Sequence, residues 1–377
     1  MKKICYIINS DWYFDLHWLE RAKATQNEGY EVHVLANFDS LSVKERLINI
    51  GFFCHDAELN AQSINPFSFI YTFFHISKVL NRIDADIIHC ITIKPSILGG
   101  LYSRIYKKKV VISFVGLGRV FSDDGYLNVS LKIIVLPLFN FIFKNDNVFL
   151  IFEHEGDRKK LSSLTGLSLS KTCIIDGAGV DTNLFYFQDE LPCEVPVILF
   201  ASRLLKRKGL QDLIFAKNEL RKQHVFFDIN AAGITVKDDP DALELEQIEK
   251  WHNSGLINWL GHRKDIDRLI AQAHLVALPS TYPEGVPRIL IEGASIGRPL
   301  ISYDSGGCNS IIHDGINGFL VKKGDLAELI KKIKILVENT SLRKEMGINS
   351  RNLVMRKFSS EMVVSKTLEI YRTLLNC

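Results

Sequence analysis

LPSTYPEGVPRILIEGASIGRPLISYD, residues 278–304, passes from the end of an apolar strand through a polar turn into a nearly all-apolar helix, then into another strand. The segment HLVALPS ends its strand at Pro279 and STYPEG supplies the turn. Pro287 suits the first helical position, where its missing N–H costs nothing. The helix RILIEGASIG should close near Gly297, ahead of Pro299. Two carboxylates are out of keeping with this pattern. Glu284 lies in the turn, and Glu292 lies among Ile289, Leu290, Ile291, Ala294 and Ile296, on a helix expected to be buried. An ionised carboxylate there is costly unless something bonds to it. Gly293 beside it costs about 1 kcal/mol of helix propensity relative to Ala. Together they point to a ligand or another backbone in close approach. The N–H groups at Gly285, Val286 and Arg288, with the positive end of the helix dipole, suit a phosphate or diphosphate. A diphosphate there would leave Glu292, more than a turn further on, to take two hydroxyls of a ribose, with Glu284 on the other side. Spacing alone leaves the alternative open: a cap for Glu284 and a structural hydrogen bond for Glu292.

Outward from this segment the chain alternates short apolar runs with helix-period stretches. In the first half the strand candidates are KICYIIN, EVHVLAN, DIIHCIT, VVISFVG, NVFLIFE and KTCIIDG. The helical stretch HWLERAKATQNEG ends in Gly29, as a helix C-terminus should. Around residues 181–196, DTNLFYFQDELPCEVP breaks the pattern with acids, two prolines and no period. A second series follows: VILFASR, VFFDINAAG, LINWLG, HLVALPS, PLISYD and GFLVK, with helices such as AELIKKIKILVEN. Runs too apolar for a one-sided sheet imply parallel sheets covered on both faces. The expected fold class is therefore α/β, two doubly wound Rossmann-like domains, residues 1–185 and 186–377, facing across a cleft. Ligands in such sheets bind beyond the carboxyl ends of the strands. The place of the last helix, about residues 360–377, stays open; packing back on the N-terminal domain is one arrangement.

Composition narrows the function classes. The 377 residues are 47% hydrophobic and 24% charged with a net charge of +3, ordinary for a globular protein and without a nucleic-acid-sized basic footprint. No partner nucleic acid is expected. No run approaches the roughly 18–20 apolar residues that span a bilayer; IIVLPLFNFIF at 133–143 is interrupted by Pro137 and Asn140. MKKICYIINSDW reads as a first strand rather than a signal peptide. The seven cysteines are dispersed without a CxxC pair, which suggests reduced, mostly buried thiols and a cytoplasmic protein without a zinc site.

Two further features bear on the diphosphate. VILFASRLLKRKG sets Arg203 and Lys208 after a strand and around a turn, where both can converge on one anion. Arg203 would give a forked contact and Lys208 a point charge, while Lys206 and Arg207 read as solvated. Gly306 and Gly307, after PLISYD, allow backbone to approach a ligand. DGINGF, further on, reads as tight turns. The acidic runs DAD at 84–86, SDDG at 122–125 and KDDPD at 237–241 read as turn and cap acids, not metal ligands.

EGVPRILIE resembles the E-x7-E element of the retaining glycosyltransferases of family GT4, which have the GT-B fold, and SRLLKRKG resembles that family's Arg…Lys-Gly phosphate segment. DIIHCITIKPSILGGLYSR, SFVGLGRVFSD, IIDGAGVDTNLF and INWLGHRKDIDRLIAQAHLVALPS extend the resemblance, to the branch that assembles capsule, O-antigen and bacterial glycoprotein glycans. The resemblance implies that Arg203 and Lys208 bind the donor diphosphate and stabilise the leaving nucleotide. Gly285, Val286 and Pro287 would underlie the same phosphates, Glu292 would hold the ribose, and Glu284 would contact the transferred sugar. His89, taken alone a packed core histidine, would then lie just after its strand and meet the donor sugar through its backbone or its side chain. The implied chemistry is transfer with retention at the anomeric carbon, needing no metal and no cofactor beyond a UDP-sugar. N-acetylgalactosamine is the best-fitting sugar, and a saccharide on undecaprenyl diphosphate the implied acceptor. Asp11, Trp12 and His17, in NSDWYFDLH where relatives carry a Gly-rich loop, and Gly116 and Gly118 are the acceptor-side candidates. Trp18, Ser310 and EHEGD at 153–157 also depart from the family pattern.

A lipid-borne acceptor implies a peripheral place on the cytoplasmic face of the inner membrane. PFSFIYTFFHISKVLNRI and LKIIVLPLFNFIFK, apolar stretches with basic residues, are candidate interfacial surfaces, or core helices. Three other classes compete. A UDP-N-acetylglucosamine 2-epimerase shares the fold but not the glutamate pair with Arg203 and Lys208. A sugar-binding protein without catalysis could lose the phosphate site. A dinucleotide oxidoreductase would need a G-x-G-x-x-G after the first strand, and GLG at 116–118 is isolated.

Overall fold

A computed structural model describes residues 1–59, 63, 65–117, 121, 126–236, 239–282 and 285–376, with 126–130 as backbone only. It divides into two compact units, Met1–Ala178 with Ser360–Cys377, and Gly179–Ser359.

In the first unit the strands are β1 (Lys3–Ser10), β2 (Glu31–Asn37), β3 (Phe53–Asp56), β4 (Ile87–Ile91), β5 (Lys109–Phe114), β6 (Val148–Phe152) and β7 (Thr172–Ile174). The helices are α1 (Asp11–His17), α2 (Leu19–Asn27), α3 (Leu41–Ile50), α4 (Pro66–Ile83), α5 (Ile93–Tyr106), α6 (Tyr126–Phe143) and α7 (Glu155–Thr165). The sheet is parallel, in the order β3-β2-β1-β4-β5-β6-β7. Its strands are apolar throughout because both faces are covered. On β1, Cys5 and Ile7 join the core under α4, α5 and α6, whereas Ile4, Tyr6 and Ile8 join Phe14, Trp18 and Leu47 on the other face. The last helix, Ser360–Asn376, lies on that second face: Tyr371 is buried and its hydroxyl bonds to that of Tyr6 at 3.2 Å.

The second unit holds β8 (Val197–Ala201), β9 (Asp228–Ala232), β10 (Asn258–Gly261), β11 (Leu275–Leu278), β12 (Leu300–Tyr303) and β13 (Gly318–Val321). Its helices are α8 (Leu210–Arg221), α9 (Leu245–Asn253), α10 (Ile266–Gln272), α11 (Arg288–Ile296), α12 (Cys308–Ile311), α13 (Leu326–Glu338) and α14 (Thr340–Lys357). The sheet is parallel, in the order β10-β9-β8-β11-β12-β13. Both sheets reverse their winding once, between β1 and β4 in the first and between β8 and β11 in the second. Neighbouring strands at such a point send their connections to opposite faces and leave a crevice at their carboxyl ends.

Three local expectations are corrected. β3 was not legible, because FCHD is a partly exposed edge strand with no apolar run. The segment after β1 is not a loop: DWYFDLH forms α1, with Phe14 and Asp11 buried. Pro287 caps α11 from outside, with φ −64° and ψ 124°, so the helix starts one residue later than expected.

A buried ion pair ties the entry of the second unit to its last helical layer. Arg343 donates to both carboxylate oxygens of Glu190, at 2.9 and 2.6 Å, and to the carbonyls of Leu336 and Val337. Both side chains are nearly sealed from solvent. Removing one partner strands the other charge, so Glu190→Ala should lower the unfolding free energy by about 3 kcal/mol or more, measured by urea denaturation.

Candidate functional site

The crevice between β8 and β11 is built from the loops that leave β8, β11 and β12. The β8 loop winds into a 3-10 turn at Lys206–Lys208 and enters α8 through Gly209. Gly209 has φ +85°, and a Cβ there would lie 2.1 Å from the carbonyl oxygen of Pro279, at the end of β11. Only a glycine lets these two backbones touch. The contact is closed by hydrogen bonds: the Arg207 carbonyl accepts from the Thr281 N–H at 2.8 Å and from the Ser280 hydroxyl at 3.2 Å. The β12 loop joins from the other side, where the Ser305 hydroxyl donates to the Tyr282 carbonyl at 2.6 Å. A Cβ on Gly307 would come within 2.5 Å of the Gly285 carbonyl oxygen. The close approach expected of the Gly306–Gly307 pair is thus made to Gly285.

These contacts set the charges. Lys208 is largely buried, with its ammonium 5.1 Å from the centre of the Tyr282 ring. Arg207 also lies over that ring, 5.4 Å away, and its Nε donates to Asp241 at 3.1 Å. Arg207 is therefore a structural member of the turn, not a solvated bystander, because Asp241 and Tyr282 hold it from two sides. The Arg203 side chain, two residues beyond β8, is exposed and has no hydrogen bond or ion pair among the described residues. Tyr282 was missed in the sequence; its signal was an aromatic residue inside an otherwise small and polar turn.

α11 starts at the same edge, where the Leu290 and Ile291 N–H groups donate to the Pro287 carbonyl at 3.1 and 3.3 Å. All eight residues from Ile289 to Ile296 are buried, Glu292 with 6% of its surface exposed. Gly293 lets the helix lie against the sheet, since a Cβ there would sit 2.7 Å from a Val276 methyl carbon. The close approach at Gly293 is thus to side chains of β11 and β12, not to another backbone. Burial raises the pKa of Glu292 above the usual carboxylate value, against the charge of Arg288 and its hydrogen bond. The structure brings Lys208, Gly285, Val286 and Pro287 together through these loops. Glu284 lies outside the described residues.

The first-unit candidates are not gathered in this way. His89 is the middle residue of β4, not a residue after it, and has no exposed surface. Its Nδ1 meets the Tyr371 hydroxyl and its Nε2 the Ser113 hydroxyl at 2.7 Å, between the rings of Tyr6 and Trp18. Burial, then the charge of Arg21, holds it well below the usual histidine pKa, so it stays neutral. With both nitrogens occupied inside the core, this side chain does not reach a substrate in this arrangement. Asp11 is buried too, accepting from the N–H groups of Trp12 at 2.7 Å and Ser40 at 2.9 Å. It fastens α1 rather than facing outward. Trp12 is exposed, the His17 ring lies tilted against Tyr13 with centroids 4.3 Å apart, and Gly116 has φ +112°. Gly118 lies outside the described residues, as do residues 122–125, 237 and 238 of the acidic runs.

The sequence reading missed Asn9 and Thr92, at the carboxyl ends of β1 and β4. The Asn9 Oδ1 and Thr92 Oγ1 atoms are buried without a hydrogen-bond partner among the described residues. Thr92 also adopts φ 73° and ψ 168°, a conformation that costs a β-branched residue of order 1–3 kcal/mol. Strain and unmet polar atoms coincide at the winding reversal of this sheet.

Similarity to known proteins falls on both units. Residues 183–353 match the family described as Glycosyl transferases group 1, and residues 3–149 match Glycosyl transferase 4-like. The N,N'-diacetylbacillosaminyl-diphospho-undecaprenol alpha-1,3-N-acetylgalactosaminyltransferase of Campylobacter jejuni is 25% identical over 362 residues, 93% of each chain. A capsular polysaccharide biosynthesis glycosyltransferase of Staphylococcus aureus is 28% identical over 192 residues, 48% of this chain and 46% of that one. Among solved structures, a glycosyltransferase from Rickettsia africae superposes with a TM-score of 0.80 at 20% identity, over 99% of this chain and 98% of that one. Anabaena HepE in complex with UDP gives 0.78 at 19%, over 99% and 100%. Both structural likenesses establish the GT-B fold for this chain.

The Gly209 contact yields a direct check. Gly209→Ala must displace either the turn or Pro279, so unfolding stability should fall by about 1–3 kcal/mol in urea titrations. The exposed Lys206→Ala, three residues away, should change it by less than about 0.5 kcal/mol.

Proposed function

We propose that this chain, which belongs to the GT4-type glycosyltransferases, moves a hexose or N-acetylhexosamine from a UDP-sugar to a saccharide on a lipid diphosphate, with retention at the anomeric carbon. N-acetylgalactosamine is the sugar we favour, in assembly of an O-antigen, capsule or glycoprotein glycan. The observation that supports the reading is the packing of the Lys208 turn and of Gly285 onto the loops at the carboxyl ends of β11 and β12, with α11 and its buried Glu292 following directly. The full-length relative from Campylobacter, by its name an N-acetylgalactosaminyltransferase acting on a diphospho-undecaprenol-linked sugar, supports the choice of donor sugar and acceptor.

In this reading the donor diphosphate lies on the first turn of α11, where the N–H groups and helix dipole favour an anion. Lys208 supplies a point charge there, and Arg203 swings in to give a forked contact. As the anomeric bond to the nucleotide lengthens, negative charge grows on the departing phosphate, and these cations stabilise it. They do so without a divalent ion. Glu292 accepts from the ribose hydroxyls, and Glu284 contacts the transferred sugar. The acceptor hydroxyl attacks on the face that the nucleotide leaves. The first unit holds the acceptor, with Trp12, His17 and Gly116 at the carboxyl edge of its sheet. His89 shapes that edge from within the core, through Tyr371 and Ser113, rather than by contact.

A lipid-borne acceptor also calls for a membrane-facing surface, and α4 is our candidate. Phe67, Ile70, Tyr71 and Phe74 form an exposed stripe at helical spacing, Phe67 with 82% of its surface open and Phe74 with 66%. Lys78 and Arg82 continue it, also exposed. On α6, Ile133, Ile134 and Phe141 are exposed while Phe139 and Ile142 are buried. An apolar stripe ending in cations suits the interface of an anionic bilayer. No helix among the described residues is long and apolar enough to cross one.

Incubation with a panel of nucleotide sugars and a lipid-diphosphate-linked saccharide should give acceptor-dependent release of UDP; no transfer with any donor overturns the reading. Arg203→Ala should lower kcat by about 100-fold, as loss of one preorganised donor to a developing charge does. In flotation with vesicles containing anionic lipid, wild-type protein should rise with the vesicles and the double variant Phe67→Ser, Phe74→Ser should remain at the bottom. Equal flotation would remove α4 from the membrane face.

A further inference from the structure

A carboxylate inside an apolar helix needs something to keep it charged, and here that group is on the same helix. Arg288 Nε donates to Glu292 Oε1 at 2.5 Å, one turn back. Arg288 opens α11 at the edge of the crevice, whereas Glu292 lies deeper, against the core. The hydrogen bond engages Oε1 and leaves Oε2 as the acceptor for another donor. Among the described residues Arg288 is the cation that acts on Glu292. From α10, Asp267 raises the cost of the charge and Arg268 acts on Asp265 instead. From α14, Arg351 gives its donors to Ser295 and to the carbonyls of Phe185 and Thr182, and Arg343 is committed to Glu190. β11, β12 and α12 carry no Asp, Glu, Lys, Arg or His.

We infer that Arg288 is a positioning residue for nucleotide binding, holding Glu292 as an oriented carboxylate whose free oxygen accepts from the ribose. This rests on the reading of α11 as the donor cradle. The pairing also accounts for the placement of Arg288. An arginine in the first turn of a helix is on the unfavourable side of the dipole, and a bonded carboxylate one turn on offsets that. The physical consequence is a dependence on pH. Desolvation favours the neutral acid, and Arg288 opposes it. Without Arg288 the folded-state pKa of Glu292 rises further, so the carboxylate needed for binding is lost at a higher pH as solution is acidified. A carboxylic acid has lost the strong acceptor that two hydroxyls would share.

The test is UDP binding by calorimetry across pH for the wild type, Arg288→Met, Glu292→Gln and the double variant. UDP's own phosphate titrates alike in all four, so differences between curves report the protein. Arg288→Met should weaken UDP binding by about tenfold at neutral pH, the worth of one charged hydrogen bond. Its affinity should then fall with acidification more steeply than that of the wild type. Glu292→Gln should bind weakly with no such excess slope, and the double variant should follow Glu292→Gln. Arg288→Lys should recover part of the affinity and the wild-type slope, which a folding defect would not do. If Glu292→Gln weakens binding but Arg288→Met runs parallel to the wild type in pH, the role of Arg288 is refuted while the cradle stands. If Glu292→Gln binds UDP like the wild type, or the wild type does not bind UDP, the cradle itself is refuted.

Discussion

The close approach of Gly209 to the Pro279 carbonyl is the constraint on which the candidate site depends. Two parallel strands that send their connections to opposite faces would ordinarily leave their loops apart. Here one missing side chain lets the β8 turn press onto the end of β11. The Arg207 carbonyl then collects the Ser280 and Thr281 donors, and Tyr282 is carried beneath Lys208. Fixing the turn fixes the ammonium. A lysine on a free loop would lose several rotors of entropy on meeting an anion, whereas this one is largely immobilised beforehand.

The same economy explains the glutamate that first stood out. A helix buried on nearly all sides can approach the sheet closely because Gly293 admits a Val276 methyl group. That packing excludes water from Glu292, which makes its charge expensive and any hydrogen bond to it strong. Arg288 resolves the expense from within the helix. Burial and pairing act on the same carboxylate in opposite directions, burial raising its pKa and Arg288 lowering it.

The first unit shows how two of its candidate side chains are held in the core. A histidine at the position of His89 suggested contact with substrate, but its strand continues two residues past it to Ile91. Its ring instead lies in a chain of buried polar groups, Thr25, Tyr6, Tyr371 and His89, that ties the last helix to the sheet. Asp11 is turned inward for a similar reason, since its oxygens satisfy two backbone N–H groups at the start of α1. At that edge the unmet polar atoms belong to Asn9 and Thr92, which no motif had singled out.

By itself the sequence determined the fold class and the two-sheet repeat of strand and helix. Continuous apolar runs bounded by turn residues are a local signal, and they survive folding almost unchanged in β2, β5 and β11. It also determined which groups stand beside the start of α11, because turn, glycine and charge are adjacent in the chain. Only the tertiary structure decided which of those groups are held. Arg207 is bound by Asp241, Lys208 is stacked on Tyr282, and Arg288 is paired to Glu292. It alone showed His89 and Asp11 to be interior and FCHD to be a strand. The reason is physical: periodicity fixes the element a residue belongs to, but burial, and partners such as Asp241 and Tyr282, are set by segments dozens of residues or more away.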